Sequence, residues 1–377
     1  MKQLLSYLQL ELHNGLQLLE QMVNMESPST DKVLVDRFAR FVGSQFEAIG
    51  GTVDYVPAER FGDHLRVSCR GKSSKKILLL GHTDTVFPAG EAAKRPFQIT
   101  NGRAIGPGVF DMKAGILIAC SALRALLQDG QQLEHSVTVL LTSDEEVGST
   151  TSRTLLESEA GSAHAVLVLE PSLPGGVLKT ARKGVGRFTI KAIGRAAHAG
   201  VDPTKGINAI EEIARQVLSL QAMSNAALGT SVTVGVIQGG TRSNVVPAEA
   251  AVEVDVRIAT IEEASRMTTA VHALQPQLSG ARLEIRGAIN RPPMVRTTDT
   301  VRLFELARSI GAELGIEIDE GSTGGASDGN FTSALGIPTL DGLGAIGEGA
   351  HAVDEFVDIA SLPLRAALIA GLIQRIH

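Results

Sequence analysis

Acids and histidines recur where apolar runs end. The run Ile77–Leu80 leads into Gly81-His82-Thr83-Asp84. In extended chain, residues i and i+2 share a face, so His82 and Asp84 point the same way. A carboxylate beside a ligating imidazole fixes its tautomer and raises its basicity, which is the role this spacing gives Asp84. Asp111 follows in Gly106-Pro107-Gly108-Val109-Phe110-Asp111-Met112-Lys113, where an apolar helix begins. N-capping would account for it, and so would a carboxylate bridging two metal ions. Asp144-Glu145-Glu146 come directly after the apolar run Val137–Leu141. Three adjacent acids are costly to cluster unless cations neutralise them. Glu170 closes the next apolar run, Ala165–Leu169, and His351 lies far downstream in GEGAHAVDE.

Each signal is modest alone, but together they form a ligand set. His82, Asp111, Glu146, Glu170 and His351 offer two neutral imidazoles and three carboxylates. Two Zn²⁺ would set +4 against −3. Mixed nitrogen and oxygen ligation suits zinc, with Mn²⁺ or Co²⁺ as substitutes. Two such ions about 3.5–4 Å apart activate water and polarise a carbonyl together. Glu145 is then left free as a general base that takes a proton from water and passes it to a leaving nitrogen. A rival reading takes His82, Asp84 and His351 as the ligands of a non-haem iron oxygenase. It leaves Asp111, Glu145, Glu146 and Glu170 without a role. A non-catalytic zinc-binding protein would be expected to lack the base, and Glu145 is present.

The elements that must position these residues alternate. A helix is expected over Thr30–Ile49, strands at Val53–Val56, His64–Cys69, Ile77–Leu80, Val137–Leu141 and Ala165–Leu169, and a buried helix over Met112–Leu127. Runs apolar on both faces argue for an α/β domain whose mainly parallel sheet has helices on both sides. Loops at the C-terminal edge of such a sheet are where sites form. After Pro171 the pattern changes to strand Gly186–Gly194, helix Ile207–Met223, strands Ser231–Ile237 and Ala248–Ile258, helix Ile261–Leu274 and strand Ala281–Arg286. That β-α-β-β-α-β order is ferredoxin-like α+β. We therefore expect an inserted domain over 182–290, flanked by 1–181 and 291–377 of the first. A helix at Val301–Leu314, a strand near Ile337–Leu340 and a terminal helix from Leu362 complete the chain.

Composition agrees with an enzyme. The chain has 377 residues, 44% hydrophobic and 20% charged, a length that favours two domains. A net charge of −6 with interspersed signs gives no basic patch for nucleic acid and no membrane anchor. No stretch approaches the roughly 18 apolar residues of a membrane span. The leucine-rich N-terminus, interrupted by Glu11, His13 and Glu20, reads as an amphipathic helix and not as a signal peptide. Cys69 and Cys120 are expected as buried, reduced thiols, and the cytoplasm as the location.

The motifs GHTDTV, GPGVFDMKAG, SDEEVGS, LEPS, GRAAHAG and GAHAVDEFV, in that order over nearly the whole chain, resemble the two-zinc peptidase family. Its members include glutamate carboxypeptidase of the carboxypeptidase-G type, aminoacylase, acetylornithine deacetylase and succinyl-diaminopimelate desuccinylase. The resemblance implies that His82 and Glu170 bind one zinc, Glu146 and His351 the other, and that Asp111 bridges them. It also implies Glu145 as the base and Asp84 as support for His82. The inserted domain corresponds to the family's lid and dimerisation domain. His198 in GRAAHAG resembles the histidine that stabilises the oxyanion, in some members across the dimer. Asn244 and Arg257 resemble substrate-contacting positions, and Arg291 is a further candidate for gripping a carboxylate. The loop Gly324-Gly325-Ala326-Ser327 is expected beside the substrate, where glycine permits close backbone approach. In this family a glutamate at the position of Glu170 accompanies carboxypeptidases and deacylases. The implied substrate is a small peptide with a free C-terminal carboxylate, as for glutamate carboxypeptidase, with N-acyl amino acid deacylation as the alternative. Closure of the lid around substrate is expected, with Gly184 and Gly287 as hinges.

Overall fold

A computed structural model describes residues 1–377, the side chain of Asp129 excepted. Helices α1 (Lys2–Leu10) and α2 (Leu12–Asn24) meet at Glu11, so the expected single N-terminal helix is two. They are followed by α3 (Lys32–Glu47), strands β1 (Thr52–Val56), β2 (His64–Cys69) and β3 (Lys76–His82), and helix α4 (Ala114–Leu127). Next come β4 (Ser136–Thr142), α5 (Arg153–Gly161) and β5 (Ala165–Val168). Beyond residue 182 lie β6 (Gly184–Ile193), α6 (Ala209–Gln221), β7 (Ser231–Gly239), β8 (Glu249–Ile258), α7 (Ile261–His272) and β9 (Arg282–Arg291). The last elements are α8 (Thr298–Leu314), β10 (Thr339–Leu340) and α9 (Ser361–Arg375).

The chain divides into two compact units. The first comprises Met1–Ala181, Arg296–Thr323 and Ser327–His377, and the second Arg182–Val295 with Gly324–Ala326. The return crossing lies after Val295 and not at the expected residue 291. Strand β9 still pairs Arg291 with Val185, and Met294 still bridges to Arg182.

In the first unit six strands order as β1-β2-β4-β3-β5-β10. β4, β3, β5 and β10 run parallel; β2 pairs antiparallel with β4, and β1 antiparallel with β2, giving a mixed sheet. The continuous apolar runs have a simple cause. Ile77 and Leu79 pack into one core with α4 and α9, while Leu78 and Leu80 pack into another with Leu156 and Phe331. Both faces are covered, so every residue of β3 after Lys76 is buried. At Gly115 in α4 a Cβ would overlap the Leu169 carbonyl oxygen. Only glycine lets the helix sit this close to the strand end that carries Glu170.

The second unit is a four-stranded antiparallel sheet of order β7-β8-β6-β9, the ferredoxin-like arrangement. Its strands alternate: Phe188, Ile190 and Ala192 enter a core with α6 and α7, while Arg187 and Thr189 face out. Thr260 caps α7 by accepting the Glu263 N–H. Gly287 sits inside β9 opposite Phe188, where a Cβ would overlap the Arg187 carbonyl. It allows close strand approach and does not lie at a chain crossing, which removes it as a hinge.

Gly115→Ala forces α4 off the β5 end, and overpacking of this kind costs about 1–3 kcal/mol. Thermal melting of the variant is expected at a lower temperature than the parent. An unchanged midpoint would show that the helix has room to spare.

Candidate metal centre

Register brings the ligands to one edge. His82 ends β3 opposite Thr142 of β4, and Leu80 lies opposite Val168 of β5. The three parallel strands therefore release Thr83–Asp84, Ser143–Glu146 and Leu169–Glu170 at the same C-terminal edge. The strand pair Arg103–Ile105 and Phe356–Asp358 delivers the two remaining loops, with Asp111 and His351.

Within this edge Asp111 occupies the middle. Its Oδ1 lies 3.2 Å from His82 Nε2 and its Oδ2 3.3 Å from His351 Nε2. Glu170 Oε1 is 3.5 Å from His82 Nε2, and Glu146 Oε2 is 3.2 Å from His351 Nε2. Two half-sites thus share one carboxylate, each with one imidazole and one glutamate. Asp111 is no N-cap: α4 starts at Ala114 with Lys113 in the cap position, and the Asp111–Met112 peptide is cis. His351 has φ +67, left-handed for a non-glycine residue. That conformation costs about 1–2 kcal/mol and points to a functional constraint on the loop.

Ligand orientation is set nearby. His82 Nδ1 donates to the Asp84 carbonyl at 2.9 Å, which leaves Nε2 as the ligating atom. The Asp84 carboxylate stands farther off, Oδ1 at 3.4 Å from Nδ1. It accepts the N–H groups of Glu145 and Glu146, each at 3.2 Å, and the Ser29 hydroxyl at 2.7 Å. Asp84 therefore fixes both the histidine and the turn carrying the two glutamates, and it is not free to serve as an iron ligand. Ser143 anchors the same turn on His64, and Thr142 bonds Asp328 at 2.9 Å. Burial pushes the His64 imidazole down, so it stays neutral. Glu145 is buried, and one of its carboxylate oxygens lies within 4.8 Å of ligand atoms of His82 and Glu170.

The donor set fits divalent cations. Glu146 Oε1 is buried without a hydrogen-bond partner, an uncompensated carboxylate oxygen that an ion would satisfy. Burial raises the Glu146 carboxyl, with Asp111 adding to the rise against the pull of His351. Burial would push His82 down, but hydrogen bonds to Asp111, Asp84 and Glu170 hold it well above its ordinary value. Asp111 and Glu146 push the His351 imidazole up to about 10. Burial opposes ionisation of Asp111, yet the two imidazoles hold its carboxyl well below the usual range. His82, Asp111, Glu146, Glu170 and His351 are the residues that would hold two ions.

In the second unit the remaining candidates separate into three places. His198 and Asn244 are exposed neighbours, joined by the Ala199 N–H to Asn244 carbonyl bond of 3.0 Å. His198 Nδ1 accepts the Gly200 N–H at 3.1 Å, so Nε2 carries the proton and is presented as a donor. Arg257 is already paired with Asp255 through Nε (2.7 Å) and Nη2 (3.0 Å), and Nη1 donates to the Gly324 carbonyl at 3.2 Å. Gly325 accepts from Arg182 at 3.3 Å. Arg291 is buried at the end of β9.

Sequence comparison agrees with this geometry. The pattern of peptidase family M20/M25/M40 matches residues 78–375, and the chain belongs to that family. Carboxypeptidase G2 of Pseudomonas sp. (strain RS-16) is 31% identical over 365 residues, covering 94% of this chain and 87% of the relative. Succinyl-diaminopimelate desuccinylase of Thioalkalivibrio sulfidiphilus is 28% identical, covering 81% and 85%. The Bacillus subtilis YXEP protein, a dinuclear metal binding peptidase, shares the fold with a TM-score of 0.71 at 17% identity, covering 99% of this chain and 98% of its own. This protein is a metal-dependent hydrolase of the M20 peptidase class. Among its described residues, no helix is long and apolar enough to cross a membrane.

Metal binding must displace the imidazole protons. Protons held by the free protein and lost on binding make affinity rise with pH, about tenfold per unit for each proton released. With His351 near 10, that rise is expected to continue over pH 7–9, where an ordinary imidazole has stopped contributing. Chelator competition across this range checks it, and a flat profile above pH 7 would contradict the raised histidines.

Proposed function

We propose that the protein uses two Zn²⁺ per chain to hydrolyse a peptide bond next to a free C-terminal carboxylate, as a glutamate-carboxypeptidase-like enzyme. The carrying observation is the Asp111 carboxylate, set between two matched imidazole–glutamate pairs. Similarity to carboxypeptidase G2 over 94% of the chain supports the substrate class. Deacylation of N-acyl amino acids is the second reading, supported by the desuccinylase relatives.

When bound, the ions polarise the scissile carbonyl and lower the pKa of water. Glu145 would take a proton from the attacking water and return it to the leaving nitrogen. Asp84 holds the Glu145 backbone and thus the base's position. His198 offers its Nε2–H to the developing oxyanion, in its own or a partner subunit's site, where a fixed donor acts mainly on the transition state. Asn244, Arg257, Arg291 and Gly325 are proposed to contact substrate, Arg257 through the N–H groups that its own contacts leave over.

A homodimer through the second unit is supported by β7, an edge strand that exposes Val236 and Ile237, and by Leu218 of α6, which is 73% exposed. A cytoplasmic location completes the proposal.

Purified protein is expected to hold about two zinc ions per chain and to cleave peptides with C-terminal glutamate in a chelator-sensitive way. Faster turnover of N-acetyl or N-succinyl amino acids would favour the second reading. No activity on either class after zinc, manganese or cobalt is restored would overturn both. Glu145→Gln should keep both ions while kcat falls about 10²–10⁴-fold, the usual contribution of a general base. An unimpaired variant would remove Glu145 from that role.

A further inference from the structure

Glu355 lies four residues past His351 and is fully buried. Its Oε1 accepts the N–H of Phe110 at 2.6 Å and of Asp111 at 3.0 Å, and its Oε2 accepts the N–H of Gly108 at 3.1 Å. These donors need an outside acceptor. The segment leaves helical geometry at Asp111 and Met112, and α4 supplies no earlier turn of carbonyls.

The location of this carboxylate matters more than its count of bonds. Gly347–Glu348 pairs with Phe356–Val357 as a hairpin whose connecting loop carries His351. Phe356–Asp358 pairs in turn with Arg103–Ile105, the strand that leads into the Asp111 loop. Two neighbouring strands thus emit the two loops, and Glu355 ties them together at their base. It fixes the backbone of the shared carboxylate, Asp111, against the loop that presents His351. Backbone N–H groups alone could have been met by water if this segment were exposed, but Gly108 and Phe110 are buried.

We infer that Glu355 is a positioning residue that holds Asp111 and His351 at the separation needed to bind two metal ions in adjacent half-sites. This inference rests on the proposed two-ion centre. Without Glu355 the half-site containing His82 and Glu170 keeps two strand-borne ligands and is disturbed only through the shared Asp111. The half-site of His351 and Glu146 loses the alignment of two loops, so one ion is weakened more than the other.

Glu355→Gln keeps the shape and replaces one acceptor oxygen by a donor that faces backbone N–H groups. Metal-free parent and variant are titrated with Co²⁺, following both stoichiometry and visible absorption. The parent is expected to bind two ions. The variant should bind one normally and the other about 10–100-fold more weakly, the usual effect of a partner behind the ligands. Two ions at parental affinity in a variant that merely melts earlier would overturn the inference and leave Glu355 a structural residue. A parent that does not bind two ions would instead overturn the two-ion reading.

Amide exchange in the metal-free parent gives a second, variant-independent measure. Phe110 and Asp111 N–H should exchange at least tenfold more slowly than unprotected peptide. Exchange at the unprotected rate would overturn the inference, including the case in which Glu355→Gln does not fold.

Discussion

Negative charge gathered at one sheet edge is the constraint to which the rest of this structure answers. Asp111, Glu145, Glu146 and Glu170 meet around two imidazoles. Two like charges about 4 Å apart oppose each other by about 4 kcal/mol at an effective dielectric of 20. Such a cluster does not hold itself together. Parallel strands buried on both faces, the close seat of α4 and the tie through Glu355 impose it. Cations then find a cage already formed, and the cost of gathering the acids has been met by folding.

Much of this was legible in the chain. Runs apolar on both faces announced the central strands, and the acids at their ends announced the edge where chemistry happens. The ferredoxin-like order was equally readable, because the alternation over Gly186–Gly194 and the Thr260 cap are local signals. Asp84 was only half legible. The i, i+2 rule holds within a strand, but β3 ends at His82, and beyond it the carboxylate turns toward the Glu145–Glu146 backbone. Nor could the sequence reveal Glu355 or Ser29. Their partners lie 244 to 247 and 55 residues away, a distance that no periodicity encodes. The reversed course of β2 within the mainly parallel sheet was not legible for a related reason: short strands state their burial, not their direction.

The two units use different means to place polar groups. In the first, the buried acids Asp84 and Glu355 are satisfied by backbone N–H groups and a hydroxyl. In the second, His198 stands exposed on a short strand, its tautomer set by its neighbour Gly200. An exposed donor of fixed tautomer is open to groups arriving from solvent, whereas those two acids of the first unit are buried and held from several sides. Arg257, tied to Asp255 and Gly324, shows the same unit using a guanidinium to fix the Gly324–Ala326 segment.

The placement of His351 and Glu355 has a consequence for the growing chain. Synthesis runs from the N-terminus, and domains fold largely as they emerge. His82, Asp111, Glu146 and Glu170 all appear before residue 182, yet the second imidazole and the residue that ties its loop come only after the whole inserted unit has been made. A nascent chain on the ribosome therefore carries four of the five candidate ligands before His351 is made. All five residues that would hold the ions are therefore together in one chain only once the last segment, with the His351 hairpin, has been made.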